Sequence, residues 1–187
     1  MEDRSDKALM KEVVAGSTQA FEILFKRYEL VIFNFIMRYS RSREIAQDLL
    51  QETFTRVWFA AHTFDLQRGH FKGWLYKIAL NNTRNEMIKK RYSHHYINID
   101  DLSEAGHEPQ QSSHIQPDAL VEKSELKKRV MDAMEKLPSH MREIVVLKSY
   151  QQLKFWEIAE ITDTPEGTLK ARYHRAIERL KQLLPLE

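Results

Sequence analysis

Apolar residues recur along this chain at helical spacing. Phe21, Phe25, Tyr28, Ile32, Phe35 and Tyr39 follow one another at alternating steps of four and three, which places them on one face of a long helix. Gly16-Ser17-Thr18 supplies its start. A second helix is expected from about Ser42. There Leu50, Phe54, Val57 and Ala61 share one side, while Asp48, Gln51, Glu52 and Thr55 share the other. Thr63 to His70 interrupts the pattern and reads as a loop. A further helix is expected from about Phe71 to Arg91, with Tyr76, Leu80 and Met87 on its core face.

From about Tyr92 to Pro117 the periodicity is lost and Gly106, Pro109, Gln110, Gln111, Ser112, Ser113 and Pro117 accumulate, the composition of a linker. Leu126, Val130, Met134 and Leu137 mark a next helix that Pro138 stops, and Met141, Ile144 and Val145 begin another. Trp156 to Ile161, a break at Asp163-Thr164-Pro165, and the run Glu166 to Leu184 predict two helices joined by a tight turn. The expectation is an all-α chain of two helical domains joined by a flexible acidic linker. An N-terminal helical bundle occupies 1–91, the linker 92–120 and a C-terminal helix-turn-helix domain 121–187.

Composition agrees, with 42% hydrophobic and 30% charged residues and only five glycines and five prolines in 187 residues. The net charge of +2 is uninformative until it is mapped. Phe71 to Arg91 carries six basic residues against one acidic; Ile99 to Glu125 carries seven acidic against Lys123; Pro165 to Leu184 carries five basic against two acidic. That alternation points to a polyanionic partner at two separated places. The absence of cysteine excludes disulfides and thiolate metal sites. His94 and His95 have no carboxylate at helical spacing, so neither metal nor cofactor is assigned. The charged N-terminal residues and the lack of a long apolar run give the expectation of a cytoplasmic chain without membrane insertion.

The last two helices have the form of a duplex reader. Ala159 is the small residue that lets one helix approach the next. At about 100° per residue, Leu169, Tyr173, Ala176, Leu180 and Leu183 fall in one arc, and Lys170, Ala171, His174, Arg175 and Glu178 in the other. Arg175 is the candidate for gripping guanine in a major groove. Arg172 and Arg179 flank the apolar arc at phosphate-contacting positions, and Thr168 stands at the helix start. The same pattern also describes an ordinary amphipathic helix with a solvated basic face.

Three separated segments resemble sigma-70 family transcription factors in the family's order. Leu137 to Val146 followed by Trp156 to Glu160 and Glu166 to Ala176 resembles the family's fourth conserved region. Asp48 to Trp58 resembles its polymerase-binding segment, and Phe71 to Asn85 its promoter-opening segment. With two domains and a short linker, the chain is similar to the compact extracytoplasmic-function group. Three positions depart from the pattern: Gln152 and Asp163 stand where glycine is common, and Ala171 where serine is common.

The resemblance implies a protein that is not an enzyme. It implies a subunit that binds the clamp coiled coil and flap of core RNA polymerase, recognises promoter DNA and is held in check by an anti-sigma factor. Asp48, Gln51, Glu52, Thr55 and Arg56 would dock on the polymerase. Trp74, Lys77, Ile78, Asn81, Arg84 and Asn85 would contact the −10 element, with the Thr63 to His70 loop as one wall of a pocket for a flipped base. Arg142, Thr168, Lys170, Ala171, Arg172, His174 and Arg175 would contact the −35 element. Captured bases call for aromatic and amide groups in a basic setting, which suits Trp74, Asn81 and Asn85, although Trp74 reads equally as a core aromatic. The acidic linker would run toward the polymerase cleft and RNA exit path, or serve only as a solvated tether. Rival readings are a helix-turn-helix repressor or activator and a decoy that titrates an inhibitor. The sequence contains no nucleophile with its base, phosphate loop or metal set on which to build an enzyme.

Overall fold

The computed structural model describes residues 4–67, 70–100 and 118–184. Its first unit comprises α1 (Asp6–Val14), α2 (Thr18–Ser40), α3 (Arg43–Phe59), a 3-10 turn at Ala61–Thr63 and α4 (Phe71–Asp100). The second comprises α5 (Asp118–Glu135), α6 (Ser139–Val145), a π-helical turn at Val146–Tyr150, α7 (Phe155–Thr162) and α8 (Glu166–Leu183). No strand occurs among the described residues, and none of the helices there is long and apolar enough to cross a membrane.

Local chemistry sets the helix starts. Ser5, Ser17 and Ser42 each accept a hydrogen bond from the backbone N–H three residues on, at 3.3, 3.2 and 3.4 Å, so each supplies a partner for an otherwise orphaned donor. Gly16 turns the chain between α1 and α2 at φ +93°, a conformation that disfavours any residue with a Cβ. The end of α4 lies beyond the expected Arg91. Between Gly73 and Gly106 there is neither glycine nor proline, so no breaker stops the helix before Asp100. The remainder of the expected linker, 101–117, and the side chains of His94 and His95 lie outside the described residues.

In the first unit α2 packs on α1, α3 and α4, with Leu24, Ile32, Phe35, Ile36, Leu49, Phe54, Val57, Leu75, Tyr76 and Leu80 buried between them. The predicted apolar face of α2 is the packed one, although Phe21, Phe25, Tyr28 and Tyr39 are only partly covered. Edge-to-face pairs lock the rings: Phe35 meets Tyr76 at 5.2 Å and Phe25 meets Phe54 at 4.8 Å. Asn82 and Thr53 are buried as well, and Asn82 Nδ2 donates to Thr53 Oγ1 at 3.2 Å. The core of the second unit is Leu137, Ile144, Val145, Val146, Leu147, Leu153, Ile158, Ile161, Leu169 and Ala176. The two units also pack on each other, chiefly through α4 and α7.

Candidate nucleic-acid and polymerase interfaces

The second unit carries the expected helix-turn-helix. Asp163 ends α7 in the left-handed region, at φ 51° and ψ 40°, and its backbone N–H donates to Ala159 O. Aspartate tolerates this conformation better than most residues, which is how the turn forms without glycine. Gln152 likewise adopts a positive φ of 54°, so both departures from glycine fall where the backbone itself favours glycine. The first turn of α7 is held by Glu157 Oε2, which accepts from Lys154 N–H at 2.7 Å.

On α8 the burial of Leu169 and Ala176 orients the opposite arc outward. Thr168, Lys170, Ala171, His174 and Arg175 are exposed, and Arg172 is half-buried. Lys170 is tied to Glu166 at 3.0 Å. Arg175 shares an open depression with His174, Glu178, Arg179, Gln182 and Leu183. Arg142 is placed differently. Its guanidinium donates to the carbonyls of Met134, Glu135 and Leu137 at 2.9, 2.6 and 3.4 Å, satisfying acceptors that the end of α5 leaves open.

On α4 the buried side is formed by Leu75, Tyr76, Ala79, Leu80, Asn82 and Thr83, which leaves Asn81 and Asn85 exposed. Trp74 is half-buried, its ring tilted against Phe64 at 5.4 Å and against Phe71 at 6.2 Å between centroids. It fills part of the core and also lines a cavity of about 350 Å³. Thr63, Phe64, Asp65 and His70 make one wall of that cavity, with Gly73, Trp74 and Lys77 beside them. The loop that the sequence marked as a break therefore faces the aromatic and basic residues of α4. Ile78, like Trp74, is half-buried and packs against the core.

The exposed face of α3 carries Asp48, Gln51, Glu52, Thr55 and Arg56, with Arg56 paired to Glu52 at 2.6 Å. Beside it lies an apolar groove lined by Phe21, Phe25, Phe54, Trp58 and Phe59 together with Gln51 and Thr55.

Several of these groups meet the other unit. Lys77 Nζ donates to Asp163 Oδ1 at 2.8 Å, and Arg84 forms a two-pronged bridge to Glu143. Tyr76 Oη donates to Gln151 Oε1 at 2.7 Å. Arg41 pairs with Asp132 and Glu135 at 3.1 and 2.6 Å, and Arg38 lies 3.9 Å over the Tyr150 ring.

Comparison with known proteins assigns the fold. Residues 24–103 match the family model for Sigma-70 region 2, and residues 127–180 match that for Sigma-70 region 4. The ECF RNA polymerase sigma-E factor of Haemophilus influenzae is 31% identical over 186 residues, covering 96% of this chain and 95% of its own. This chain belongs to the extracytoplasmic-function sigma factors of the sigma-70 family. The sigma factor SigW of Bacillus subtilis is 31% identical over 181 residues, covering 95% of this chain and 96% of its own. Among solved structures, CnrH in complex with the cytosolic domain of CnrY shares the fold at a TM-score of 0.71 and 22% identity, across 96% of this chain and 97% of that one.

In this sigma factor, the region 2 match runs from within α2 through α4, and the region 4 match from within α5 into α8. The residues that join the two regions escaped the sequence reading. Glu143, Asp163 and Gln151 lie 59, 86 and 75 positions from their partners, and no periodicity links positions so far apart. One local signal existed: Glu143 directly precedes the apolar run Ile144 to Leu147, so a charge adjoining a core segment called for a partner.

Proposed function

We propose that this sigma factor directs core RNA polymerase to promoters by three separate surfaces and is itself no enzyme. The α3 face of Asp48, Gln51, Glu52, Thr55 and Arg56 docks on the polymerase clamp coiled coil, where charged groups on a rigid helix select the partner. Region 4 contacts the flap and presents α8 to the −35 element. Arg175 reads a guanine edge through two acceptors, while Thr168, Lys170, Arg172 and His174 hold phosphates and register. Arg142 acts by fixing α5 to α6 in addition to any backbone contact.

Region 2 captures the opened −10 element. A base leaving the duplex needs a stacking surface and hydrogen-bond donors in a cationic setting. Trp74, the Thr63 to His70 wall, Lys77, Asn81, Arg84 and Asn85 supply these together. The convergence of Trp74, Lys77 and that wall around one cavity is the observation that carries the reading. The protein acts in the cytoplasm beside the polymerase. A solved relative, RpoE of Bartonella quintana, is in complex with the anti-sigma factor NepR, and an anti-sigma factor is proposed for this chain too.

Run-off transcription with core polymerase on fragmented genomic DNA tests the proposal. Discrete transcripts that depend on the added protein are expected. A chain that neither co-purifies with core enzyme nor yields such transcripts is a repressor or a decoy.

A further inference from the structure

Asp6, at the start of α1, holds two consecutive side chains of α2. Arg27 Nη1 donates to its Oδ1 at 2.5 Å, and Tyr28 Oη donates to its Oδ2. Arg27 Nη2 also donates to Arg4 O at 3.0 Å. The Asp6 and Arg27 side chains are only 23% and 32% exposed, so this tether is better shielded than the fully solvated pairs that contribute almost nothing. Its negative charge lies in the first turn of α1, where the helix dipole favours it.

The ring of Tyr28 belongs to a different neighbourhood. It meets Phe71 edge-to-face at 5.4 Å between centroids. Phe71, 1% exposed, meets Phe64 at 6.1 Å and Trp74 at 6.2 Å, and the latter two rings lie 5.4 Å from each other. Phe64 and Trp74 line the cavity that Thr63, Asp65 and Lys77 share. By a second route α1 packs on the Ala61–Thr63 turn, which leads directly into Phe64. Phenylalanine at position 28 would fill the core equally well, because the ring contacts do not use the hydroxyl. What tyrosine adds is a bond to α1, and with it a fixed place for the ring.

We propose that Tyr28 is a positioning residue for strand capture, fixing the wall of Phe64, Phe71 and Trp74 through its hydroxyl bond to Asp6. The proposal rests on the function proposed above for region 2. Edge-to-face contacts constrain both the distance and the tilt of neighbouring rings. A Tyr28 ring held at its hydroxyl therefore passes a set position to Phe71, and Phe71 passes it to Trp74 and Phe64. A base stacks on an aromatic side chain only where that side chain is presented at the right place and angle. A supporting shell that loosens by about 1 Å degrades such a site while its own residues stay untouched. In this way α1, which carries none of the proposed contacts to polymerase or DNA, takes part in promoter opening.

The test uses the full chain in two settings. Alone, with fluorotryptophan in place of its three tryptophans, it reports the wall through the fluorine resonance of Trp74, assigned by Trp74→Phe. Bound to core polymerase, it is offered a random pool of short single-stranded DNA, and sequencing of the retained strands gives the base preference at each position. Tyr28→Phe keeps the ring and loses only the tether; Asp6→Ala removes the acceptor from the other side. In both variants the Trp74 resonance should shift or broaden while that of Trp58 stays. Preference should fall at one base position, by up to about tenfold in Tyr28→Phe, the equivalent of one hydrogen bond to a charged group. Ile36→Val, at a fully buried position elsewhere in α2, should lower the unfolding temperature and leave both readouts unchanged. A Trp74 resonance unmoved by either variant overturns the proposal, as does a moved resonance with unaltered base preference. A parent holoenzyme that retains strands without any base preference fails the strand-capture reading itself, and the proposal falls with it whatever the resonance does.

Discussion

Arg84 on α4 and Glu143 on α6 form the best-defined bond between the two regions. Arg84 Nε donates to Glu143 Oε2 at 2.9 Å and Arg84 Nη2 to Oε1 at 2.5 Å, a geometry in which the planar guanidinium matches both carboxylate oxygens. The Glu143 side chain is only 10% exposed, against 41% for Arg84. The carboxylate is the desolvated partner, so it depends on the arginine more than the arginine depends on it.

Arg84→Ala should therefore destabilise the folded chain by roughly 1–3 kcal/mol, because it leaves a buried anion unpaired. Adding Glu143→Leu to that variant should recover part of the loss, since replacing both members of a covered pair by apolar groups is far milder than removing one. Thermal unfolding midpoints of the two variants decide it. A double variant no more stable than Arg84→Ala contradicts the burial argument.

Phe35 lies fully covered at the centre of region 2, 5.2 Å from both Tyr39 and Tyr76. Phe35→Ala should lower stability by about 3–5 kcal/mol through the cavity it leaves, and Phe35→Leu by much less. Urea unfolding followed by circular dichroism should show both, with region 2 affected first.

Three tyrosines make the chain sensitive to alkali. Burial pushes the phenols of Tyr28, Tyr39 and Tyr76 well above the ordinary tyrosine value, and Tyr28 is further raised by its hydrogen bond to Asp6. The folded chain holds these protons more tightly than the unfolded one. Their contribution is therefore complete below about pH 10, the unfolded tyrosine value, and is withdrawn as the pH rises above it. Phenolate absorbance should grow in step with loss of helix rather than before it, and Tyr76→Phe should flatten the alkaline decline in stability. Full ionisation of all seven tyrosines in a still-folded chain would contradict the assignment.

On α8, Arg175 and Lys170 should fail in different ways. Arg175→Ala should cost about 1–3 kcal/mol on a specific promoter and relax preference at one base pair, with polymerase association retained. Lys170, already tied to Glu166, should when replaced weaken binding evenly across sequences and reduce the salt slope by about 0.9. Fluorescence titration of duplex promoter fragments at several salt concentrations separates the two. Equal effects on specific and non-specific duplex would remove Arg175 from base reading.

The sequence by itself determined the all-helical class, the serine-capped starts of α2 and α3, the loop ahead of α4 and the two arcs of α8. Each depends on residues within a few turns of one another, where 3.6-residue periodicity and capping chemistry act. It also carried the family, through three motifs in order. The end of α4 was misplaced because a fall in apolar periodicity was read as an end, whereas a helix continues until something stops it. The placing of Arg142 was a different matter, since its neighbours in the chain give no hint that carbonyls at and just beyond the end of α5 converge on its guanidinium. Only the tertiary structure decided that Lys77 and Arg84, which the resemblance places at the −10 element, meet Asp163 and Glu143 of the other region, because ion pairing is set by distance in space and leaves no trace in local spacing.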